Sequence, residues 1–443
     1  SDWQTVTESL EVLERPDNLL LRRNLNELRI HWSRVAVHDE RVSVRQAIDP
    51  YGIIKVAGGF AVNCHDVEGA KVLTDGALTI EAYPWRDGAP QDAARRTILA
   101  IAEPQVNHNG GGIVMDANGD LWIGVGDGGG AGDTGDGHVE GGNAQSLRQV
   151  LGKILRITPD ITLRPNDMLN VNERYRVPSS ARDSNPFVTV KGARPEIFAY
   201  GLRNPHRISW DTVTNTLISA DIGDHSWEEL NIIVKGGNYG WALREGPELR
   251  FTGGPNGGLT ATQINPPLPY PAEDSVKVDL LDKPVPVIPP VAYYSHQDGL
   301  AVGSGYVYRG KLLPEMVGKY IFGEITTGRL FYTDLQEMIA NQGKRVKSVP
   351  IYEIEIAYKA PDAADAAPAR RRMYDITADA FKRRGGVPLK ETVLPGASTI
   401  TGGFRGGNLT TGKVDPYGVP YGGGRADARL AIGGDGEIYI VSK

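Results

Sequence analysis

A turn built from Asp, Asn and Gly, followed at once by a short run of alternating apolar residues, recurs along this chain and limits what it can fold into. It reads T-D-G-A-L-T-I-E-A-Y from Thr74, D-A-N-G-D-L-W-I-G-V from Asp116 and D-T-V-T-N-T-L-I-S-A-D-I-G-D from Asp211. A looser copy, G-K-Y-I-F-G-E-I, starts at Gly318, and G-G-D-G-E-I-Y-I-V from Gly433 closes the chain. Residues that tolerate left-handed backbone, followed by period-two patterning, specify turns and strands. The copies are unequally spaced with long insertions, so they do not form a regular short repeat. Strand clusters with few helical stretches predict an all-β sandwich or propeller. No composition break divides residues 1–443, which points to one domain with long loop insertions.

Tyr51 to Val62 predicts two short strands broken at Gly58-Gly59. Short helices are expected over Ala144 to Leu151, Leu335 to Asn341 and Tyr374 to Arg384. Asn256 to Pro290 and Ala360 to Ala369, rich in proline or small residues, read as surface insertions, and Arg370-Arg371-Arg372 as a solvated loop. Residues 1 to about 50 are charged and show no clear period. The 55 glycines and 29 prolines suit a turn-rich β protein, because 40% hydrophobic content still supplies a core. A net charge of -6 gives no basic footprint for nucleic acid. No apolar run is long enough to span a bilayer. The single cysteine, Cys64, excludes an internal disulfide framework. No signal peptide is visible at Ser1, so an exported protein is expected to be in its mature form.

Chemistry-bearing residues gather in three phrases. In P-Q-V-N-H-N-G-G-G, His108 precedes glycines that let a ligand come close, and Asp127 follows one strand later. An imidazole beside a carboxylate suits a general base near neutral pH, while a structural hydrogen-bonding role is the plain alternative. His206 and His225 are rival histidines. In E-I-F-A-Y-G-L-R-N-P-H-R, Pro205 restricts Asn204, so Arg203 and Asn204 are expected at a strand end, ready for developing negative charge or a ligand carboxylate. In D-I-G-D-H-S-W-E-E-L-N-I-I-V-K-G-G-N-Y-G-W, Asp221, Asp224, Glu228, Glu229 and nearby carbonyls make an oxygen-rich loop that suits calcium or an ordinary acidic surface. The turn at Asn238 to Trp241 reads as aromatic packing. G-V-G-D-G-G-G lacks the helix order and lysine of a phosphate loop, and no G-x-S-x-G or H-E-x-x-H occurs.

Together with G-D-G-G, N-A-Q, L-G-K-I-L-R-I, S-N-P-F, G-Y-V-Y-R-G and R-A-D-A-R-L-A-I-G-G-D-G-E-I-Y-I-V-S-K, these phrases resemble the soluble glucose/sorbosone dehydrogenase family of pyrroloquinoline quinone (PQQ) dependent aldose dehydrogenases. The resemblance runs from about Ile101 to Lys443. It implies a six-bladed β-propeller, with residues 1–100 as a divergent first-blade region. It implies His108 as catalytic base with Arg203 and Asn204 beside it, and Asn107, Asp127, Gln145, Arg203, Arg425 and Arg429 around PQQ. Gly223, Asp224, Glu229 and Tyr239 are implied as calcium contributors. The expected reaction is oxidation of the anomeric hydroxyl of an aldose to a lactone, with electrons passed to an external acceptor. A periplasmic or secreted monomer or homodimer is expected by analogy. Two departures stand out: no G-Q-G-G-L phrase precedes Ile101, and Thr326-Thr327 stand where the family has a lysine, Arg329 being the nearest cation. A quinone-free lyase, lactonase or hydrolase, or a carbohydrate-binding propeller, is the alternative.

Overall fold

A computed structural model describes residues 52–56, 59–65, 77–86, 89–90, 95–105, 107–249, 274–296, 298–344, 347–359, 367–373 and 428–441, with single positions between 375 and 383. The expectation for residues 1 to 50 and most of that for Tyr374 to Arg384 lie outside the described residues, as does Arg425.

Antiparallel strands dominate. The first sheet contains β1 (Gly52–Val56), β2 (Gly59–His65), β3 (Ala77–Arg86) and β4 (Arg96–Ala102). The second orders β5 (Ile113–Met115), β6 (Leu121–Val125), β7 (Lys153–Ile157) and β8 (Ile197–Tyr200). The third orders β9 (Arg207–Asp211), β10 (Thr216–Asp221), β11 (Trp227–Ile232) and β12 (Ala292–Ser295). The fourth holds β13 (Val302–Val307), β14 (Lys319–Glu324), β15 (Leu330–Asp334) and β16 (Tyr352–Glu353), and β17 (Arg429–Ile432) with β18 (Ile438–Val441) forms a last hairpin. The recurring turn-and-strand phrase is accounted for: it supplies β3, β6, β10, β14 and β18, the last four each the second strand of its sheet. The turn before β6 is closed by the Asp116 carboxylate, which accepts the N–H groups of Asn118 and Asp120 at 2.8 and 3.0 Å.

The sheets stack face to face, because successive side chains of a strand point to opposite faces. In β6, Leu121, Ile123 and Val125 join a core shared with Leu78, Ile80 and Ile98 of the first sheet. Trp122, between them, faces the other way into a core with Ile208 and Leu217 of the third sheet. The pattern repeats outward: Ile218 and Ala220 pack with Phe322 and Phe331, and Ile321 packs with Leu430. The first strands β1, β5, β9, β13 and β17 lie side by side in that order, as blades of a propeller arrange their inner strands.

Three local expectations are corrected. Ala144 to Leu151 forms turns instead of a helix, because side chains take its backbone groups: Asp133 accepts from Asn143 and Ala144, and Lys153 donates to the carbonyls of Asn143, Ala144 and Leu151. Within the supposed surface insertion, Val276, Val278 and Val287 are buried in the core. Arg370 to Arg372 belong to a strand, Ala369–Arg372, with Arg372 held 2.9 Å from Asp375. The expected helix at Leu335–Asn341 is present and capped by Asp334, whose side chain accepts from Glu337 N–H at 3.0 Å.

Alternating strand direction gives the stack two rims. One carries the ends of β4, β6, β8, β10, β12 and β14, and with them residues 103–105, 107–112, 126–127, 201–204, 222–226, 296 and 298–301. The other carries polar clasps between neighbouring sheets: Arg309 to Asp211 at 2.6 Å and Tyr308 to Glu437 at 2.7 Å. The buried Asp120, at the same rim, binds Arg156, Arg164 and Thr158.

Candidate active site

The chain reaches His108 after leaving β4, and the glycines around it decide how close it comes to β6. A Cβ on Gly126 would lie 1.5 Å from the His108 carbonyl oxygen, and one on Gly110, at φ +72°, 2.4 Å from the carbonyl of Gly124. His108 itself takes a left-handed φ of 58°, a strained setting for a residue with a side chain. The result is a buried imidazole whose Nδ1 sits 2.8 Å from Oδ1 of Asp127. Both Asp127 carboxylate oxygens accept from neighbouring N–H groups, so Nδ1 carries the proton and Nε2 keeps its lone pair. The Asn107 amide nitrogen lies 3.3 Å from that Nε2, and the Asn107 oxygen accepts from Gly130 N–H.

Asp127 is fully buried and engaged on every side. Oδ1 also accepts from Gly129 N–H at 3.0 Å, and Oδ2 accepts from the Trp241 indole at 2.7 Å. Its N–H donates to the Arg203 carbonyl at 2.8 Å, and its own carbonyl accepts from the Asn143 amide at 2.9 Å. Asn204 completes the junction by accepting Gly110 N–H at 3.0 Å. His108, Asp127, Arg203 and Asn204, far apart in sequence, thus meet at one rim.

Arg203 is positioned from behind by Asp221 at the end of β10, which accepts the N–H groups of Arg203 and Asn204 at 3.0 and 2.6 Å. Its guanidinium donates to the carbonyls of Ile222, at 3.1 Å, and Gly223, and to Asp224 Oδ1 at 3.0 Å. Arg203 Nε is buried without a hydrogen-bond partner among the described residues. Burial, and then the Arg203 charge, hold the His108 pKa below the ordinary histidine value, against the opposing pull of Asp127 and Asp224. The imidazole is therefore neutral, and able to accept a proton, at neutral pH.

The other predicted positions fall around this centre. Gln145 faces Asn238 and Trp241: it donates to Asn238 Oδ1 at 3.0 Å and to the Trp241 carbonyl at 2.6 Å. The loop carrying Gly223 and Asp224 is wrapped on Glu245, whose Oε1 accepts the N–H groups of Asp224, His225, Ser226 and Trp227. Glu229 lies beside Asp221 in strand register and accepts from Gly246 N–H at 2.6 Å. Burial pushes the Asp221 carboxyl up to about 7; burial and the neighbouring Asp221 push Glu229 well above the usual range. The Tyr239 hydroxyl is engaged within the core, donating to the Ile232 carbonyl at 2.6 Å and accepting Val234 N–H at 2.9 Å. Arg429 is the first residue of β17, in the last hairpin. Of the rival histidines, His206 is buried on the strand-end loop after Asn204. His225 lies 3.6 Å from Asp224 with its side chain 42% exposed.

Sequence reading missed Trp241, Glu245 and Lys153. Lys153 opens β7 fully buried, where burial pulls its ammonium down to about 7. The hint for Trp241 was that a carboxylate orienting an imidazole leaves its second oxygen to be satisfied, and a buried indole N–H is one of the few apolar-faced donors.

This rim has the parts for removing a proton from a bound hydroxyl next to a fixed positive charge. Residues 91–255 match the model of the Glucose / Sorbosone dehydrogenase family. The HIPL1 protein of Arabidopsis thaliana is 31% identical over 234 residues, 52% of this chain and 30% of that protein. Aldose sugar dehydrogenase YliI of Escherichia coli is 33% identical over 137 residues, 31% of this chain and 29% of that protein. The chain thus spans less than a third of the length of these curated relatives. The solved apo-form structure of the soluble aldose sugar dehydrogenase from E. coli aligns over 87% of this chain and 75% of that chain, at 18% identity and a TM-score of 0.48.

Proposed function

We propose that this chain is a quinoprotein sugar dehydrogenase built on a six-bladed propeller, oxidising an aldose at its anomeric hydroxyl to the lactone. The observation that carries the reading is the buried His108–Asp127 pair set beside Arg203 at the rim. In support, His108, Asp127 and Arg203 lie within the stretch that matches the Glucose / Sorbosone dehydrogenase model, and YliI, a relative over part of the chain, bears the name of an aldose sugar dehydrogenase.

The residues fit PQQ and calcium at the reacting end. Arg203 has a buried Nε without a partner among the described residues, suited to an anionic ring substituent. The buried, mutually repelling pair Asp221 and Glu229 is a setting that a divalent cation relieves. Among the described residues no set of three or more His, Cys, Asp and Glu is placed to hold a metal, so calcium would draw on carbonyls such as that of Gly223, which accepts from Arg203 and would be shared with it. Tyr239 would contribute through its backbone, because its hydroxyl is engaged elsewhere. Arg329 is tied to Glu353 at 2.8 Å, so the remaining acid groups of the quinone would rely on Arg425 and Arg429.

When bound, the quinone supplies the two-electron acceptor and calcium polarises it. The rest is the work of the chain. Nε2 of His108 takes the proton of the anomeric hydroxyl while Nδ1–H holds to Asp127, so the imidazolium formed is stabilised by a buried carboxylate. Arg203 balances the negative charge that builds up next to it. Asn204 holds the glycine segment after His108 and keeps the base in place. Electrons then leave to an external acceptor, and we place the protein in the periplasm or outside the cell.

The test is reconstitution with PQQ and calcium, followed by dye reduction across a panel of aldoses. Bleaching that disappears in His108→Ala supports the reading. No bleaching with any sugar, and no quinone absorbance after desalting, refutes it in favour of a quinone-free carbohydrate enzyme or binding protein.

A further inference from the structure

Trp241 is 3% exposed, and its indole touches both halves of the site. Nε1–H donates to Oδ2 of Asp127 at 2.7 Å, and the Arg203 guanidinium carbon stands 5.4 Å from the ring centroid. The backbone beneath the ring is fixed from two directions. Trp241 N–H donates to the Gly201 carbonyl at 2.9 Å, on the segment that leads to Arg203. Its carbonyl accepts from Gln145 at 2.6 Å, and Gln145 exchanges two amide hydrogen bonds with Asn238 at 3.0 and 2.9 Å. The turn cannot shift without disturbing both the glycine-rich loop and the strand end that carries the cation.

We propose that Trp241 is a positioning residue for proton abstraction: its N–H fixes the Asp127 carboxylate and its face fixes the Arg203 guanidinium, so that base and cation are held as one unit. The proposal rests on the reading of His108 as the base. A donor on Oδ2 draws charge from the carboxylate and moderates its hold on the imidazole proton. The charged groups acting on His108 are Asp127, Arg203 and Asp224. Those that feel Asp127 are Glu103, Asp133, Lys153 and Asp221.

Trp241→Phe keeps a ring face and deletes the donor. Carbon-13 histidine NMR on the chain of residues 1–443 should then show His108 titrating at higher pH than in the wild type. Under the proposed reaction, kcat/KM should fall about tenfold near pH 6 and recover in large part near pH 8, with KM little changed. An unmoved His108 midpoint, or an equal loss at both pH values, overturns the proposal. Should the variant fail to fold, wild-type protein labelled with nitrogen-15 in its seven tryptophans decides the matter. One indole N–H must move with the His108 midpoint; if none does, the proposal is wrong. Because the NMR readings need neither quinone nor sugar, they stand even if wild-type protein reduces no dye.

Discussion

Replacing Arg203 by lysine and by methionine separates its charge from its shape. The guanidinium reaches the Ile222 and Gly223 carbonyls and Asp224 at once, and lies over Trp241. A lysine keeps the charge but not the planar fork or the stacking. Losing one charge-assisted hydrogen bond, about 1.5–3 kcal/mol, corresponds to roughly a 10- to 150-fold fall in kcat/KM if the bond acts in the transition state. The His108 titration should stay where it is, because the positive charge remains. Methionine also removes the charge that holds the His108 pKa down, so that titration must move up. It strips the guanidinium from Asp224, whose side chain is only 5% exposed, and breaking such a buried pair costs about 3–5 kcal/mol of stability. Dye-linked kinetics, denaturant unfolding and histidine NMR read the three effects. If His108 titrates alike in the wild type and the methionine variant, the electrostatic link between cation and base is refuted.

Lys153→Met takes its donor from the Leu151 carbonyl and a second donor from those of Asn143 and Ala144, which keep Ser146 and Gly201 N–H, and should destabilise the chain by about 1–3 kcal/mol, read as a lower urea midpoint with the slope unchanged. The acid limb of kcat/KM should fall below the ordinary histidine value, because a base with a lowered pKa stays neutral as the pH drops; a limb above that value contradicts the assignment of His108. For His296, burial pulls the pKa down, but the hydrogen bond and charge of Glu228, 2.9 Å away, raise it overall. The folded protein then keeps a proton that the unfolded chain has released. This stability is present below the unfolded pKa and is lost as pH rises through the folded one; His296→Gln should flatten that slope in Tm against pH. Under the proposed reaction, chelation of calcium should abolish dye reduction, and added calcium should restore it.

Much of the stacking was legible in the residues. The alternation from Leu121 to Val125 announces a strand, and its burial on both faces follows from the sheets that flank it. His108, Arg203 and Asn204 were visible because glycine and proline punctuate their neighbourhoods. Trp241 was not. Its indole bonds to a carboxylate 114 residues away, and an aromatic residue in a tight turn has the same local pattern whether it packs or donates. Lys153 sits in an apolar strand, and nothing local says that a loop will fold back to offer it three carbonyls. The supposed insertion near Val276 misled because proline-rich composition speaks for irregular backbone, not for exposure. The proposed calcium contributors are hardest to read, since carbonyl oxygens belong to every residue type.

The polar clasps and the chemistry occupy opposite ends of the stack. Asp211 with Arg309 and Tyr308 with Glu437 fasten neighbouring sheets at the far rim, while His108 and Arg203 stand on loops at the near one. Such a division of labour lets evolution, or an engineer, lengthen or exchange a near-rim loop to admit a bulkier ligand while the fastenings stay untouched. Substrate range is then a matter of loop replacement, and the cost in stability stays local to the loop exchanged.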